Sequence, residues 1–70
     1  MIVNDRLKRE LSGLDMNHFI ELCSLLGIEY YNSVYYGDDN KIAGQLFSIN
    51  YSSIKLWFNL DNKLDNITDY

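Results

Sequence analysis

Ser53-Ile54-Lys55-Leu56-Trp57-Phe58-Asn59-Leu60 alternates without a break. Ile54, Leu56, Phe58 and Leu60 fall on one side, and Ser53, Lys55, Trp57 and Asn59 on the other. Successive side chains of a strand point to opposite faces of a sheet, so the stretch predicts a half-buried strand over about 53–60. One strand cannot stand alone, and even a lone hairpin is marginal in water. The partners are to be sought on either side.

Working upstream, Asn50-Tyr51-Ser52 is a turn signal, preceded by a second strand over about 41–49 that carries Ile42, Leu46, Phe47 and Ile49. Gly44 within it suggests a bulge or a close packing contact. Gly37-Asp38-Asp39-Asn40 is a dense turn signal, and a tyrosine-rich strand leads into it. There Ile28, Tyr30, Asn32, Val34 and Tyr36 take one side, and Glu29, Tyr31, Ser33 and Tyr35 the other.

Before Ile28 the period becomes helical. Asp15 reads as an N-cap, with Leu14 and Phe19 placed as a hydrophobic staple, for a helix over about 16–26 that stops at Gly27. Its apolar face is Phe19, Ile20, Cys23 and Leu26, broadened by Leu22 and Leu25. A first helix over about 5–12, capped by Asn4 and stopped at Gly13, aligns Leu7, Leu11 and Leu14 on one stripe. The predicted fold is α+β: an N-terminal αα unit packed on a three-stranded antiparallel β-meander (ααβββ). All of residues 1–70 form one small binding domain. In residues 61–70, Leu60, Leu64 and Ile67 would share a helical face and Asp61, Asp65 and Asp69 another, so this acidic tail reads as a short helix or a frayed end.

Composition narrows the function. At 70 residues and 47% hydrophobic content the chain can form a core, although a domain of this size buries only about 60% of the surface its unfolded form exposes. Cys23 is the one cysteine and His18 the one histidine, so an intrachain disulfide is impossible and a zinc site is disfavoured. The reducing cytoplasm fits such a chain, or the host cytoplasm if a phage encodes it. The N-terminus turns polar after three residues, unlike a signal peptide, and no apolar run approaches the roughly 20 residues of a membrane span. The formal charge is −4: residues 1–14 carry +1 and the remainder −5. This acidic body argues against direct nucleic-acid or membrane binding and suits a protein partner with a basic surface.

Tyr36-Gly37-Asp38-Asp39 resembles the Tyr-Gly-Asp-Asp turn of RNA-dependent polymerases, where paired aspartates hold magnesium ions. The resemblance covers four residues. A polymerase palm would need further carboxylates on a neighbouring strand and a far larger fold, and the same letters are explained by a polar hairpin turn. His18 and Cys23, five apart on a helix, diverge by about 140° and do not form a nucleophilic pair. Asn66-Ile67-Thr68 matches a glycosylation acceptor that has no meaning without secretion. No enzyme, metal site or cofactor is expected.

The aromatic residues point to binding. Tyr31 and Tyr35 share one side of their strand and Trp57 lies on the outer register of its own, so the three stand together if both strands expose the same sheet face; Tyr and Trp are enriched at interface hot spots. Glu29, Asp38, Asp39, Asp61 and Asp65 supply negative charge that could imitate a nucleic-acid backbone. These eight residues are the expected partner-binding set. The expected function is stoichiometric protein binding by a phage or mobile-element inhibitor of a host nucleic-acid-handling or defence enzyme, of the anti-CRISPR or anti-restriction type. The AT-rich-looking usage of Asn, Asp, Ile, Lys and Tyr is an association that suggests such a source. Two alternatives are a homo-oligomeric structural subunit, such as a homodimer joined through its aromatic face or an exposed strand edge, and an antitoxin or immunity-type protein.

Overall fold

Residues 5–69 are described by the computed structural model. The order is α1 (Asp5–Leu11), α2 (Met16–Leu26), β1 (Tyr30–Tyr36), β2 (Ile42–Ile49), β3 (Ile54–Asn59) and β4 (Leu64–Asp69). The class is α+β as the patterning predicts, but the sheet has four strands, antiparallel in the order β1-β2-β3-β4.

Asp15 fixes where α2 begins. Its Oδ2 accepts from the backbone N–H groups of Asn17 and His18, at 3.1 and 3.3 Å, satisfying donors that a helix start leaves unpaired. Its Oδ1 receives the Lys63 ammonium at 3.2 Å. At the other end Gly27 adopts the left-handed conformation, φ 68°, and its N–H returns to Cys23. Leu14 and Phe19 both join the core region, as the staple requires. Asn4, read as the cap of α1, lies outside the described residues.

The core lies between the helices and one sheet face. Phe19 and Cys23 from α2 are buried against Phe47, Ile54, Leu56, Phe58, Leu64 and Ile67 of the sheet. Phe19 stands 5.2 Å from Phe47 and 5.5 Å from Phe58, ring centroid to ring centroid, and these two rings are 5.3 Å apart. Tyr30 closes the cluster at 5.1 Å from Phe47. Edge and tilted contacts of this kind add about 0.5–1.5 kcal/mol each beyond the burial of area. Leu7, Leu11 and Leu14 pack against this cluster from α1 and the linker.

Three expectations need correction. The tail is neither a helix nor a frayed end: residues 64–69 form β4, and only Tyr70 lies outside the described residues. The helical spacing of Leu64 and Ile67 arises from a bulge. Leu64 faces Phe58 and Asn66 faces Trp57, which leaves Asp65 as an extra residue and returns both Leu64 and Ile67 to the core side. Leu60 is 70% exposed because β3 ends before it and the β3–β4 turn carries it outward. Leu26 does not belong to the buried face of α2: Leu26 and Leu25 are 69% and 81% exposed, and Leu22 is 38% exposed. Leu22 and Leu26 instead line an open groove beside Ile49, Ile54 and Leu56 of the sheet.

The joint between α2 and β4 has a pH signature. The Lys63 ammonium, helped by the capped N–H groups, holds the Asp15 carboxyl below its usual value. A depressed folded-state value means that ionised Asp15 stabilises the fold above its unfolded-state value, and this contribution is lost as pH falls through the folded one. Asp15→Asn should therefore melt at a lower temperature than the native chain at neutral pH, and the two melting curves should converge in acid; thermal denaturation followed by circular dichroism across pH checks this.

Candidate functional site

The sheet face turned away from the helices is built by register. Tyr31 sits opposite Ser48, Ser33 opposite Leu46, and Tyr35 opposite Gly44. The rows continue through Ser48 to Lys55 and Thr68, and through Leu46 to Trp57 and Asn66. Directly paired residues share a face, so Tyr31, Tyr35 and Trp57 stand on one surface, as the alternation predicts.

Gly44 lets that surface close on itself. A Cβ added there would stand 1.9 Å from the Phe58 carbonyl oxygen and 2.9 Å from the Tyr35 hydroxyl. The missing side chain opens a track along which Tyr35 crosses β2. Its hydroxyl donates to the Phe58 carbonyl at 3.2 Å, and its ring meets Trp57 edge-on with centroids 5.1 Å apart. Trp57 carries the chain of contacts onward, its Nε1–H donating to Thr68 Oγ1 at 3.0 Å. A ring laid over a strand glycine covers backbone that would otherwise be bare. Tyr35 and Trp57 are consequently half-buried platform residues, whereas Tyr31 is 68% exposed.

The meander places four of the five predicted acidic site residues at one end. The β1–β2 turn carries Asp38 and Asp39, and the β3–β4 turn carries Asp61; both turns lie at the same end of the sheet. Asp65, on the bulge just past that turn, receives Asn59 Nδ2 at 3.4 Å. These four carboxylates border the Tyr35 end of the open face. Asp39 Oδ1 also accepts from the Lys41 N–H at 3.1 Å, which closes its own turn. Asn59 Oδ1 shapes the other turn by accepting from the N–H groups of Asp61 and Lys63, at 2.9 and 3.1 Å. Glu29 is not part of this group; it precedes β1, at the opposite end of the sheet.

Burial first, and the Asp65 charge second, push the Tyr35 hydroxyl above the ordinary tyrosine range. Cys23 is buried to 2% exposure in the core, and that burial raises its thiol and suppresses thiolate. His18 lies exposed on α2, away from it. Among the described residues, no three of His, Cys, Asp and Glu converge as a metal-ligand set. No helix among them is long and apolar enough to cross a membrane.

A second surface escaped the sequence reading. Leu14, Phe19, Leu22, Leu26, Ile28 and Ile49 are among the residues lining an apolar groove of about 290 Å³ between the helices and the sheet. Beyond it, Tyr51 at the tip of the β2–β3 turn is fully exposed and left-handed, with φ 62°. A bulky residue rarely adopts that conformation. The available signal was Asn50-Tyr51-Ser52, a tight turn with an aromatic where glycine or asparagine would be expected.

Compared with protein-family models, curated proteins and solved structures, the chain matches none of them.

Two measurements test the platform. Gly44→Ala forces backbone apart at the Phe58 carbonyl and should cost about 1–3 kcal/mol, read as a lower urea midpoint at unchanged slope. Asp65→Asn removes the charge beside Tyr35 and should lower the midpoint of Tyr35 ionisation, followed by NMR of its ring. Because the raised value marks the neutral phenol as the favoured form, the stability Tyr35 contributes is lost as pH rises through it.

Proposed function

We propose that the chain is a small non-catalytic protein that acts by stoichiometric binding to a protein with a basic surface. More specifically, we read it as an inhibitor of a nucleic-acid-handling or defence enzyme, of the kind that phages and mobile elements direct against their hosts. The observation that supports this most is the gathering of Asp38, Asp39, Asp61 and Asp65 at the end of the open sheet face that Tyr35 and Trp57 pave. Carboxylates fixed at the rim of a flat surface oppose the lysines and arginines that would otherwise hold phosphates. Rigid aromatic side chains supply apolar area at low entropic cost. Inhibition on this reading is occlusion: the acidic end enters the basic groove and the sheet face covers its wall. The chemistry of the target is unaffected; only access is lost.

Glu29 plays no part in that contact, because it lies at the far end of the sheet. Tyr35 and Trp57 act mainly by holding the surface flat. The exposed Tyr31 is the cleaner probe of a direct anchor.

The test is capture of proteins from a bacterial lysate on the immobilised chain, in low and high salt, with duplex DNA as competitor. A nucleic-acid-binding protein should be retained in low salt, displaced by duplex DNA, and lost when Asp38, Asp39, Asp61 and Asp65 are all changed to Asn. Tyr31→Ala should then weaken binding of the purified target by about 2 kcal/mol. Capture indifferent to neutralisation of the four aspartates, or no nucleic-acid-binding protein retained at all, would overturn the reading.

A further inference from the structure

We infer that β1 is a pairing edge, at which two copies of this chain join antiparallel into one continuous eight-stranded sheet with its two-fold axis at Ser33. The two edges of the sheet differ. The start of β4 and the turn before it are bonded by the chain itself: Gly13 N–H donates to the Leu64 carbonyl at 2.9 Å, Leu64 N–H to the Leu14 carbonyl at 2.8 Å, and Met16 N–H to the Asn62 carbonyl at 2.8 Å. An isolated bridge joins Asp15 to Lys63, and α1 packs on the same strand. Among the described residues nothing comparable covers β1, whose extensive packing is with β2.

The ladder fixes which groups β1 leaves open. Asn50 N–H donates to the Glu29 carbonyl at 3.0 Å, so Glu29 and Asn50 form a hydrogen-bonded pair. Antiparallel pairs alternate, which turns the backbone of Tyr31, Ser33 and Tyr35 toward β2. The N–H and C=O groups of Tyr30, Asn32 and Val34 consequently point away from the sheet. The Asn32 side chain does not mask them, since its Nδ2 donates into the β1–β2 gap, to the Ser33 and Leu46 carbonyls, both at 3.3 Å.

Natural sheets protect such an edge with lysine, proline, a bulge or a cover. The only irregularity here is between Tyr35 and Tyr36, at the end of the strand. Tyr30-Tyr31-Asn32-Ser33-Val34-Tyr35-Tyr36 contains no charge, no proline and no glycine. It also reads nearly the same in both directions about Ser33. In a two-fold antiparallel pair each residue meets its mirror position, so this near-palindrome is the self-complementarity that an isologous contact requires. Asn32 and Val34 of one copy exchange backbone hydrogen bonds with Val34 and Asn32 of the other, using the groups left open. On the paved face Tyr31, 68% exposed, falls opposite Tyr35 of the second copy, an aromatic cross-strand pair that meets along one side of each ring and leaves the open face accessible. A foreign strand could use the same backbone groups but would not be expected to match these tyrosines. The pairing does not depend on the acidic end, and its test needs no target protein.

The experiment is sedimentation velocity of the purified chain over a concentration series, with circular dichroism to follow the fold. The native chain should be dimeric. Val34→Pro removes an outward N–H that β2 does not use, and Val34→Lys places a charge on the edge. Both should be monomeric throughout the range in which the native chain dimerises; Val34→Lys retains the N–H and serves as the test if Val34→Pro does not fold. Adding Asn32→Glu to Val34→Lys puts opposite charges face to face in this register and should restore the dimer, whereas a register centred on Asn32 would set glutamate against glutamate. A monomeric native chain overturns the inference. So does a dimer that persists in folded Val34→Lys, which would locate self-association elsewhere, such as the apolar groove. A dimer lost in Val34→Lys but not restored by the double variant overturns the register.

Discussion

Phe19 is the side chain through which the helical pair holds the sheet. α2 buries only Phe19 and Cys23, and Phe19 alone reaches Tyr30, Phe47 and Phe58, on three different strands. A chain this short has little apolar surface to spend, and one ring meeting three others at tilted and edge angles concentrates much of it at one point. The position of that ring is set from the N-cap. Asp15 starts the helix, Leu14 packs against the cluster that holds Phe19, and the bond from Lys63 ties the start of the helix to the last hairpin. The same stretch of chain that turns α1 into α2 also bonds the start of β4. Joint, cap and edge protection are one feature.

The opposite face is organised without helices. Gly44 gives up its side chain so that Tyr35 can cross β2, and Tyr35, Trp57 and Thr68 then link all four strands with polar and aromatic contacts on the open side. A sheet backed on one face only is thereby stiffened on the other. This arrangement changes the meaning of the aromatics. Tyr35 and Trp57 are tied down by contacts of their own, and Tyr31 is the tyrosine of that face left mostly exposed. Charge is distributed to match: an antiparallel meander puts alternate turns at the same end, so acids from two separate turns and a bulge become neighbours.

Much of this was legible beforehand because it depends on local rules. The N-cap at Asp15, the stop at Gly27, the turns at 37–40 and 50–52 and the inward set Ile54, Leu56 and Phe58 each follow from backbone preference or from alternation. Alternation put Tyr31 and Tyr35 on one side of their strand, while the pairing register decided that Trp57 shares it. β4 was not legible, because its bulge at Asp65 spaces Leu64 and Ile67 three apart and so imitates a helix. The exposure of Leu25 and Leu26 was not legible either, because periodicity gives a direction on the helix but not whether another element closes over it.

The sequence by itself determined the class, the element boundaries to within a residue or two at the helices and first three strands, and which side chains share a strand face. These are properties of φ, ψ and of neighbours a few positions apart. Tertiary structure alone decided that the tail completes the sheet, that Gly44 is a passage for Tyr35, that Asp38, Asp39, Asp61 and Asp65 gather while Glu29 does not, and that one edge is covered and the other open. Each of those depends on contacts between residues far apart in the chain, where the path of the backbone and not the identity of nearby residues sets the distance.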